Sequence, residues 1–306
     1  MGKEANKFSG IHVAMNSCYG PDGKVSPEAA RKLTRFLIDK GVQGLYVGGS
    51  TGEGPLQTAE ERMEVLEAVA AESKGEVTVI AHIGAITTED SVKLARHAEK
   101  VGIDGISSIA PFYFSYTEAA VKQYWLSMMD STSLPFFIYY IPAATGFQMS
   151  SGLLKELTSH ERLAGIKITT FSTYELQQFK AIGGDRFVVF NGPDQQYLAG
   201  RAMGASGGIG GTYGVMPELF LKIEHYFSKG DMQRAQYWQF VVNDIITDIR
   251  SIGLFAAVKE IIKLRGVDCG SPRLPLPPAT ADNYPAIRRV HDKIMRYVAE
   301  AAVVTA

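Results

Sequence analysis

The sequence predicts an α/β protein, a (β/α)8 TIM barrel followed by a helical C-terminal extension. Eight short apolar runs recur along the chain, and segments with helical spacing separate them. Parallel strands that are buried on both faces appear in a sequence as continuous apolar runs. Eight strand and helix units within about 215 residues match the usual size of a TIM barrel. A doubly wound parallel sheet is the main alternative.

The eight predicted strands are rich in β-branched, aromatic and other apolar residues. They cover residues 11–17, 44–49, 77–83, 105–110, 135–141, 164–168, 187–190 and 205–210. Local signals support the helices between them. Ser26 is a capping residue before Pro27 in a first turn, and Thr58 with Glu61 has the spacing of a capping box. Gly102 is expected to end the helix before the fourth strand.

After residue 216 the pattern changes to longer helical stretches. They cover residues 218–227, 232–250, 254–265 and about 283–301. We therefore predict a barrel at residues 8–216 and a C-terminal helical extension at residues 217–304 that packs on the barrel. The apolar faces of these helices need burial, so they are expected to cover the barrel or to pack between subunits.

The composition favours a small-molecule ligand. The chain has 306 residues, of which 46% are hydrophobic and 21% charged, and its net charge is -1. A nucleic-acid partner is not expected, because binding phosphates needs an excess of clustered Lys and Arg. No run approaches the roughly 18 apolar residues of a membrane helix, and residues 1–7 lack the apolar core of a secretory signal.

Cys18 and Cys269 form neither a disulfide framework nor a zinc pattern, so we expect a cytoplasmic protein. The six histidines have no metal-ligand spacing, and no dinucleotide fingerprint follows a strand. The sequence therefore predicts no metal and no nucleotide cofactor.

Lys167 interrupts the apolar run of the sixth strand. Burial disfavours a charged ammonium group, so a lysine inside a strand either forms an ion pair or becomes a neutral nucleophile. On the fifth strand, Tyr139 and Tyr140 must point to opposite faces, so one of them can place a phenol near Lys167 for proton transfer. Packing alone is the alternative for both tyrosines.

The second strand ends in Gly-Gly-Ser-Thr-Gly-Glu, residues 48–53. The Ser50 and Thr51 hydroxyls with nearby N–H groups could bind a carboxylate. The same stretch fits the G-x-S-x-G elbow of serine hydrolases, but a helix should then begin at the serine. Here Gly54 and Pro55 intervene, and the next helix cap is Thr58. The glycine-rich eighth strand could bind phosphate, although it has no nearby Lys or Arg.

Five motifs together resemble those of the N-acetylneuraminate lyase and dihydrodipicolinate synthase superfamily. They are GGSTGE at residues 48–53, PFY at 111–113, Tyr-x-Ile-Pro at 139–142, Gly-Ile-Lys at 165–167 and GGIG at 207–210. The resemblance spans nearly the whole chain. It implies a class I aldolase that binds pyruvate as a Schiff base and needs no metal or added cofactor.

The resemblance also implies individual roles. Lys167 would form the Schiff base, Tyr139 would transfer protons, and Ser50 with Thr51 would bind the pyruvate carboxylate. Ile209 would lie near the pyruvate unit. Tyr113 matches a tyrosine that completes the proton relay of a neighbouring subunit, which implies a homotetramer.

The substrate implied by the resemblance is a 2-keto sugar acid. Synthases carry an arginine where this chain has Ala144, so the motifs lie closer to the neuraminate lyases. The sugar-binding positions of the lyases match Thr169, Gly192 and Asp194, but Gln195 replaces a glutamate and Gly211 a serine. These two changes are expected to weaken polyol recognition. Dihydrodipicolinate synthesis, a keto-sugar-acid dehydratase and a non-catalytic binding barrel remain alternatives.

Overall fold

A computed structural model describes residues 7–303 of the chain. Eight parallel strands form a closed barrel, in which each strand pairs with the next and the eighth pairs with the first. The strands are β1 Gly10–Ala14, β2 Gly44–Val47, β3 Thr78–His82, β4 Gly105–Ile109, β5 Phe136–Tyr140, β6 Leu163–Ile168, β7 Val188–Asn191 and β8 Gly207–Gly210. Each predicted run overlaps one strand. The TIM barrel is confirmed, and the closed ladder excludes a doubly wound sheet.

Helices follow the strands and surround the barrel. They are α1 Pro27–Asp39, α2 Ala59–Ser73, α3 Thr88–Val101, α4 Glu118–Met129, α5 Pro142–Thr145, α6 Ser151–Leu157, α7 Thr173–Gly183, α8 Tyr197–Ala202, α9 Pro217–Ser228, α10 Met232–Ile252, α11 Leu254–Leu264 and α12 Tyr284–Val303. The Ser26 side chain caps α1. Thr58 and Glu61 form the reciprocal capping box of α2, and Gly102 ends α3.

Strand alternation divides the core into two parts. Outward-facing strand residues pack against the helices, whereas a separate cluster fills the barrel interior. That interior cluster contains Phe8, Ala14, Tyr46, Ile80, Ile109, Phe137, Tyr139, Val188, Phe190 and Ile209. Gly44 makes room for the buried His12 ring, because a Cβ at Gly44 would overlap it. The interior is therefore filled with side chains and is not an open pore.

The four helices from α9 to α12 form the C-terminal part of the described chain. They lie where the four helical stretches are predicted. Helix α9 packs against β1 as well as against α10. The division into a barrel at residues 8–216 and an extension at residues 217–304 stays a prediction, and residue 304 lies outside the described residues.

Within residues 7–303, no helix combines the length and the apolar character that a membrane crossing requires. The predicted absence of a signal concerns residues 1–7, of which residues 1–6 lie outside the described part of the chain.

Candidate active site

Lys167 lies near the carboxyl end of β6, with its side chain inside the barrel. Only 5% of the residue is exposed. In the sheet register it pairs with Tyr139 on β5 and with Phe190 on β7. The carboxyl ends of the strands are where TIM barrels carry their active sites. The sixth strand therefore presents a buried primary amine at the catalytic end of the barrel.

Two aromatic rings hold the Lys167 amine. Its Nζ lies 4.0 Å from the ring centroid of Tyr139 and 4.6 Å from that of Tyr46. The two rings are nearly perpendicular to each other, with their centroids 6.0 Å apart. Contacts between an ammonium group and an aromatic face are attractive, and the rings also restrict where the flexible lysine chain can go. The two rings thus fix the amine in position.

The two adjacent tyrosines of β5 point to opposite sides, as alternation requires. Tyr139 belongs to the barrel interior. Tyr140 faces the helices, where its hydroxyl donates to Gln148 Oε1 at 2.9 Å and to Glu175 Oε1 at 3.2 Å. Burial and the nearby Glu175 carboxylate raise the pKa of Tyr140 to about 12. Tyr139 is therefore the tyrosine that the fold brings to Lys167.

The environment of Tyr139 lowers the pKa of its hydroxyl group. Burial alone would raise the pKa of Tyr139, but the positive charge of Lys167 opposes it. Interactions with the side chains of Ser50 and Lys167 act in the same direction as that charge. The net effect is a lowered pKa, which suits a group that accepts and returns protons.

Ser50 and Thr51 lie in a tight turn after β2, which we call the β2 turn and which spans residues 48–53. Gly48 has a φ of 73° and Glu53 a φ of 54°. The N–H of Glu53 donates to the carbonyl of Ser50 at 3.0 Å. Helix α2 begins only at Ala59, so Ser50 does not lie on a hydrolase elbow. The β2 turn instead brings two hydroxyls to the end of the barrel that carries Lys167.

Glu53, the last residue of the β2 turn, forms a buried ion pair that the sequence does not predict. Its Oε1 lies 2.8 Å from Nζ of Lys259 on α11, and both side chains are at most 1% exposed. Oε1 also accepts from the Ser17 hydroxyl at 2.6 Å, and Oε2 accepts from the backbone N–H of Arg273 at 2.7 Å. The β2 turn is thereby attached directly to the C-terminal helices.

The predicted sugar-binding residues lie on neighbouring strand ends. The Asp194 Oδ2 accepts from the backbone N–H of Thr212 at 2.7 Å and from its hydroxyl at 2.5 Å. Burial raises the pKa of Asp194, and the hydrogen bonds from Thr212 partly offset this effect. Gln195 is half-buried, and its backbone carbonyl accepts from Asn243 at 3.0 Å.

Two glycines among the predicted binding residues make space for side chains from other strands. A Cβ at Gly192 would overlap the Thr169 hydroxyl. A Cβ at Gly211 would lie 2.7 Å from the Thr51 hydroxyl oxygen, closer than carbon and oxygen atoms normally approach. Ile209 is buried in the barrel interior. The fold therefore assembles the β2 turn and the ends of β6, β7 and β8 around one region.

Tyr113 is a predicted site residue that does not join the other site residues around Lys167 within one chain. It follows β4, is 88% exposed and has a φ of 83°, in the left-handed region. Its ring contacts the exposed ring of Phe114, with the centroids 5.1 Å apart. No described contact joins it to Lys167.

Sequence reasoning did not identify two residues beside Lys167. Tyr46 lies on β2, and its hydroxyl donates to Ser107 Oγ at 3.0 Å. Burial raises the pKa of Tyr46 well above its usual range. His82 ends β3, with its ring centroid 5.9 Å from that of Tyr139. Both residues lie inside the barrel beside Tyr139, so following the strand alternation through every strand could have found them.

Within residues 7–303, no group of three or more His, Cys, Asp or Glu side chains is arranged to hold a metal ion. The chemistry that the arrangement itself offers is nucleophilic attack by an amine and proton transfer by an adjacent phenol. Hydroxyl and N–H groups of the β2 turn are available for an anionic group of the substrate.

Comparison with known proteins gives a consistent result. Residues 7–294 match the model of the dihydrodipicolinate synthetase family. An N-acetylneuraminate lyase from Mediterraneibacter gnavus is 39% identical over 279 residues, which cover 90% of this chain and 89% of that protein.

Two solved structures extend the comparison. A catalytic lysine mutant of the Ruminococcus gnavus sialic acid aldolase superposes with a TM-score of 0.94 at 37% identity, covering 95% of this chain and 96% of that one. A dihydrodipicolinate synthase from Bacillus anthracis superposes with a TM-score of 0.89 at 27% identity, covering 93% of this chain and 98% of that one. Sequence identity is thus higher to the lyase and aldolase than to this synthase.

Proposed function

The chain belongs to the dihydrodipicolinate synthetase family, and from this membership we propose that it is a class I pyruvate lyase of the N-acetylneuraminate lyase type. It cleaves a 2-keto sugar acid into pyruvate and an aldehyde, or joins the two in reverse. The observation that carries the proposal is the buried Lys167 amine, 4.0 Å from the Tyr139 ring. Its position at the catalytic end of the barrel suits attack on a ketone.

The proposed reaction begins with a covalent bond between Lys167 and the substrate. The neutral amine attacks the C2 carbonyl carbon of the keto acid, and the resulting carbinolamine loses water to give an iminium ion. The protonated iminium nitrogen can accept the electron pair of the C3–C4 bond, through C2 and C3, when that bond breaks. The covalent adduct on Lys167 therefore takes the place of a metal or an added cofactor in this proposal.

Bond cleavage then needs one proton to leave and another to arrive. When Tyr139 removes the proton of the C4 hydroxyl, the C3–C4 bond breaks, its electron pair forms an enamine, and the aldehyde departs. Tyr139 then returns that proton to C3 of the enamine, and water hydrolyses the resulting iminium to pyruvate and free Lys167. The lowered pKa of Tyr139 supports this role, because a base works best when its pKa approaches the working pH.

We assign the carboxylate of the keto acid to the β2 turn. Ser50 and Thr51 supply hydroxyl donors there, and hydrogen bonds to a charged acceptor are worth roughly 1.5–3 kcal/mol each. Two such bonds would orient the ketone of a small acid toward Lys167. Ile209 would contact the apolar part of the pyruvate unit from the barrel interior.

In the proposal, the sugar portion of the substrate binds to Thr169, Gly192, Asp194, Gln195 and Gly211. Asp194 already accepts two hydrogen bonds from Thr212 through one oxygen. Gln195 is neutral, and Gly211 has no hydroxyl to donate. N-acetylneuraminate is the first substrate to test, and other 2-keto sugar acids are the next.

Dihydrodipicolinate synthesis is the alternative within the family. It would require recognition of aspartate semialdehyde, whereas the position of the synthase arginine carries the exposed Ala144. A dehydratase would release water from the same imine without releasing an aldehyde. Product analysis separates the three reactions, because only the lyase gives pyruvate and an aldehyde from a sugar acid.

We also propose a cytoplasmic homotetramer. Exposed aromatic side chains at Tyr113 and Phe114, beside the catalytic end of the barrel, support burial against another subunit. Cys18 and Cys269 are buried free cysteines, as expected of a protein in a reducing compartment.

The test of the central proposal is reductive trapping. Intact protein is incubated with pyruvate and borohydride, and the modified peptide is identified by mass spectrometry. We expect an adduct on Lys167 in the natural protein and none in Lys167→Ala. Natural protein that stays folded but unmodified, or Lys167→Ala with normal turnover, would rule out the proposed mechanism.

A further inference from the structure

His82 is a buried residue that the proposed reaction does not use. It is the last residue of β3, and its side chain lies inside the barrel. Its ring centroid is 5.9 Å from that of Tyr139 and 6.2 Å from that of Tyr46. It also reaches the start of the β2 turn, where its Nδ1 lies 3.2 Å from the carbonyl oxygen of Gly48. His82 therefore lies between the aromatic rings around Lys167 and the turn that carries Ser50.

The contact of the His82 ring with Ile109 favours one tautomer. The backbone N–H of Ile109 donates to Nε2 at 3.3 Å, so this nitrogen must be unprotonated. A neutral imidazole then carries its proton on Nδ1, which can donate to the Gly48 carbonyl. One ring thus joins β4 through its acceptor nitrogen to the β2 turn through its donor nitrogen.

Arg62 fixes the backbone on which His82 stands. Its Nη2 donates to the His82 carbonyl at 2.5 Å, and its Nη1 donates to the Gly84 carbonyl at 2.9 Å. Arg62 Nη2 also lies 3.3 Å from His82 Nδ1, but a guanidinium group has no acceptor, so Arg62 cannot replace Gly48 as the partner of the Nδ1 proton. Burial and the charges of Arg62 and Lys167 place the pKa of His82 well below its usual range. The neutral ring that the bridge requires is therefore also the favoured form.

The Gly48 carbonyl is a point on which the shape of the β2 turn depends. The turn folds back on itself, since the N–H of Gly54 donates to the Gly49 carbonyl at 3.1 Å. A Cβ at Gly54 would overlap the Gly48 carbonyl oxygen. If the Gly48 peptide rotated, the orientation of Ser50 and Thr51 would change with it.

We propose that His82 is a positioning residue for substrate binding, which holds the β2 turn through the hydrogen bond from its Nδ1 to the Gly48 carbonyl. The inference rests on the proposed function, because it concerns the turn to which the pyruvate carboxylate is assigned. His82 itself neither touches the substrate nor transfers protons in this scheme.

Two variants separate the two hydrogen bonds of the ring. His82→Asn can place an amide N–H near the position of Nδ1 and keep a donor toward Gly48. His82→Gln carries its amide one carbon farther out, near the position of Nε2, and loses that donor. The measurement is the pyruvate concentration that gives half-maximal borohydride trapping on Lys167, together with kcat and KM for cleavage.

We expect His82→Gln to need about tenfold more pyruvate, the size of effect typical of one lost hydrogen bond to a buried acceptor. His82→Asn should stay within about threefold of the natural protein, and kcat should change little in either variant. Equal losses in both variants would mean that His82 only fills space, and a loss confined to kcat would contradict a role in substrate binding. An unchanged pyruvate requirement in His82→Gln would also overturn the inference.

A second measurement needs no variant. In natural protein with 15N-labelled histidine, the nitrogen chemical shifts of His82 should identify a neutral ring with the proton on Nδ1. A proton on Nε2 would exclude the bridge. If the natural protein is not trapped by pyruvate while this tautomer is present, the proposed function fails although the His82 geometry holds.

Discussion

At the scale of single residues, the part of the chain that the structure describes contains two buried lysines with opposite surroundings. Lys259 pairs with the Glu53 carboxylate, as buried charges usually must. Lys167 lies instead against the rings of Tyr46 and Tyr139. Structural ion pairing explains Lys259 but not Lys167. A buried lysine that packs against aromatic rings in this way favours the nucleophilic role of Lys167.

Replacing Tyr139 by phenylalanine tests the proton-transfer role. The variant should still form an imine with pyruvate, because the ring that packs against Lys167 is kept. Cleavage turnover should fall by roughly 100- to 10,000-fold, the usual contribution of a positioned acid–base group. The measurement compares borohydride trapping with pyruvate release.

Tyr140→Phe is the matched control for that experiment, since it removes the neighbouring hydroxyl from the opposite face of β5. It should leave turnover almost unchanged. Full activity in Tyr139→Phe would show that Tyr139 only packs.

His12 gives a pH dependence of stability. Burial lowers its pKa from 6.5 to about 4, so the unfolded chain binds a proton there more readily than the folded one. The neutral His12 ring contributes fully to the free energy of unfolding above pH 6.5, and this contribution is lost as the pH falls toward 4. The linked free energy is roughly 3 kcal/mol.

The prediction is checked by urea unfolding at several pH values in the natural protein and in His12→Leu. The natural protein should lose more unfolding free energy between pH 7 and pH 4 than the variant does. Identical pH profiles would show that His12 does not titrate differently in the two states.

At the scale of secondary-structure elements, local signals predicted the fold well. The capping box at Thr58 and Glu61 is present, and the helix that it caps begins at the next residue, Ala59. The first strand was predicted to extend to residue 17, but it ends at Ala14. The Met15 N–H still donates to the Tyr46 carbonyl of β2 at 3.0 Å, but residues 16 and 17 lie beyond the strand, and the Ser17 hydroxyl donates to Glu53. Apolar patterns locate a strand but do not show where its pairing partner stops.

The site was predictable only in part, and the reason is distance along the chain. Lys167 could be found because it interrupts the apolar run of β6, and Tyr139 because it lies in the apolar run of β5. The pairing of Glu53 with Lys259 joins the β2 turn to α11, and no spacing rule covers such a separation. His82 was overlooked for a related reason, since its partner Gly48 lies in the β2 turn and its partner Ile109 lies on β4.

The attachment of the β2 turn to α11 can be tested through stability. Lys259→Met removes one partner of a buried pair and leaves the Glu53 charge uncompensated, so unfolding free energy should fall by about 3–5 kcal/mol. Denaturant unfolding provides the measurement.

The control is Lys263→Met on the same helix, because the pair of Lys263 with Asp268 is more than half exposed on both sides. Exposed pairs contribute at most about 1 kcal/mol. Equal effects of the two substitutions would show that the buried pair does not anchor the turn.

At the scale of the whole molecule, one predicted catalytic residue does not reach the site of its own chain. Tyr113 is almost fully exposed in a left-handed conformation that is unfavourable for a tyrosine. If a neighbouring subunit receives it, sedimentation should give about four times the chain mass of 33.3 kDa.

Tyr113→Phe should then lower turnover while the assembly stays intact, because the ring remains and only the hydroxyl is lost. The control is Phe114→Leu, which changes the adjacent exposed ring without removing a hydroxyl. A fully active monomer would contradict both the assembly and the role of Tyr113.

The pairing of Glu53 with Lys259 also has a consequence for how the protein is made. The barrel strands and the β2 turn leave the ribosome before α11 does. In a newly made barrel, the Glu53 carboxylate therefore has no Lys259 ammonium group with which to pair. Burying an unpaired charge is unfavourable, so the β2 turn is expected to stay exposed to solvent until Lys259 has been synthesised. Substrate binding would then be among the last properties that the growing chain acquires.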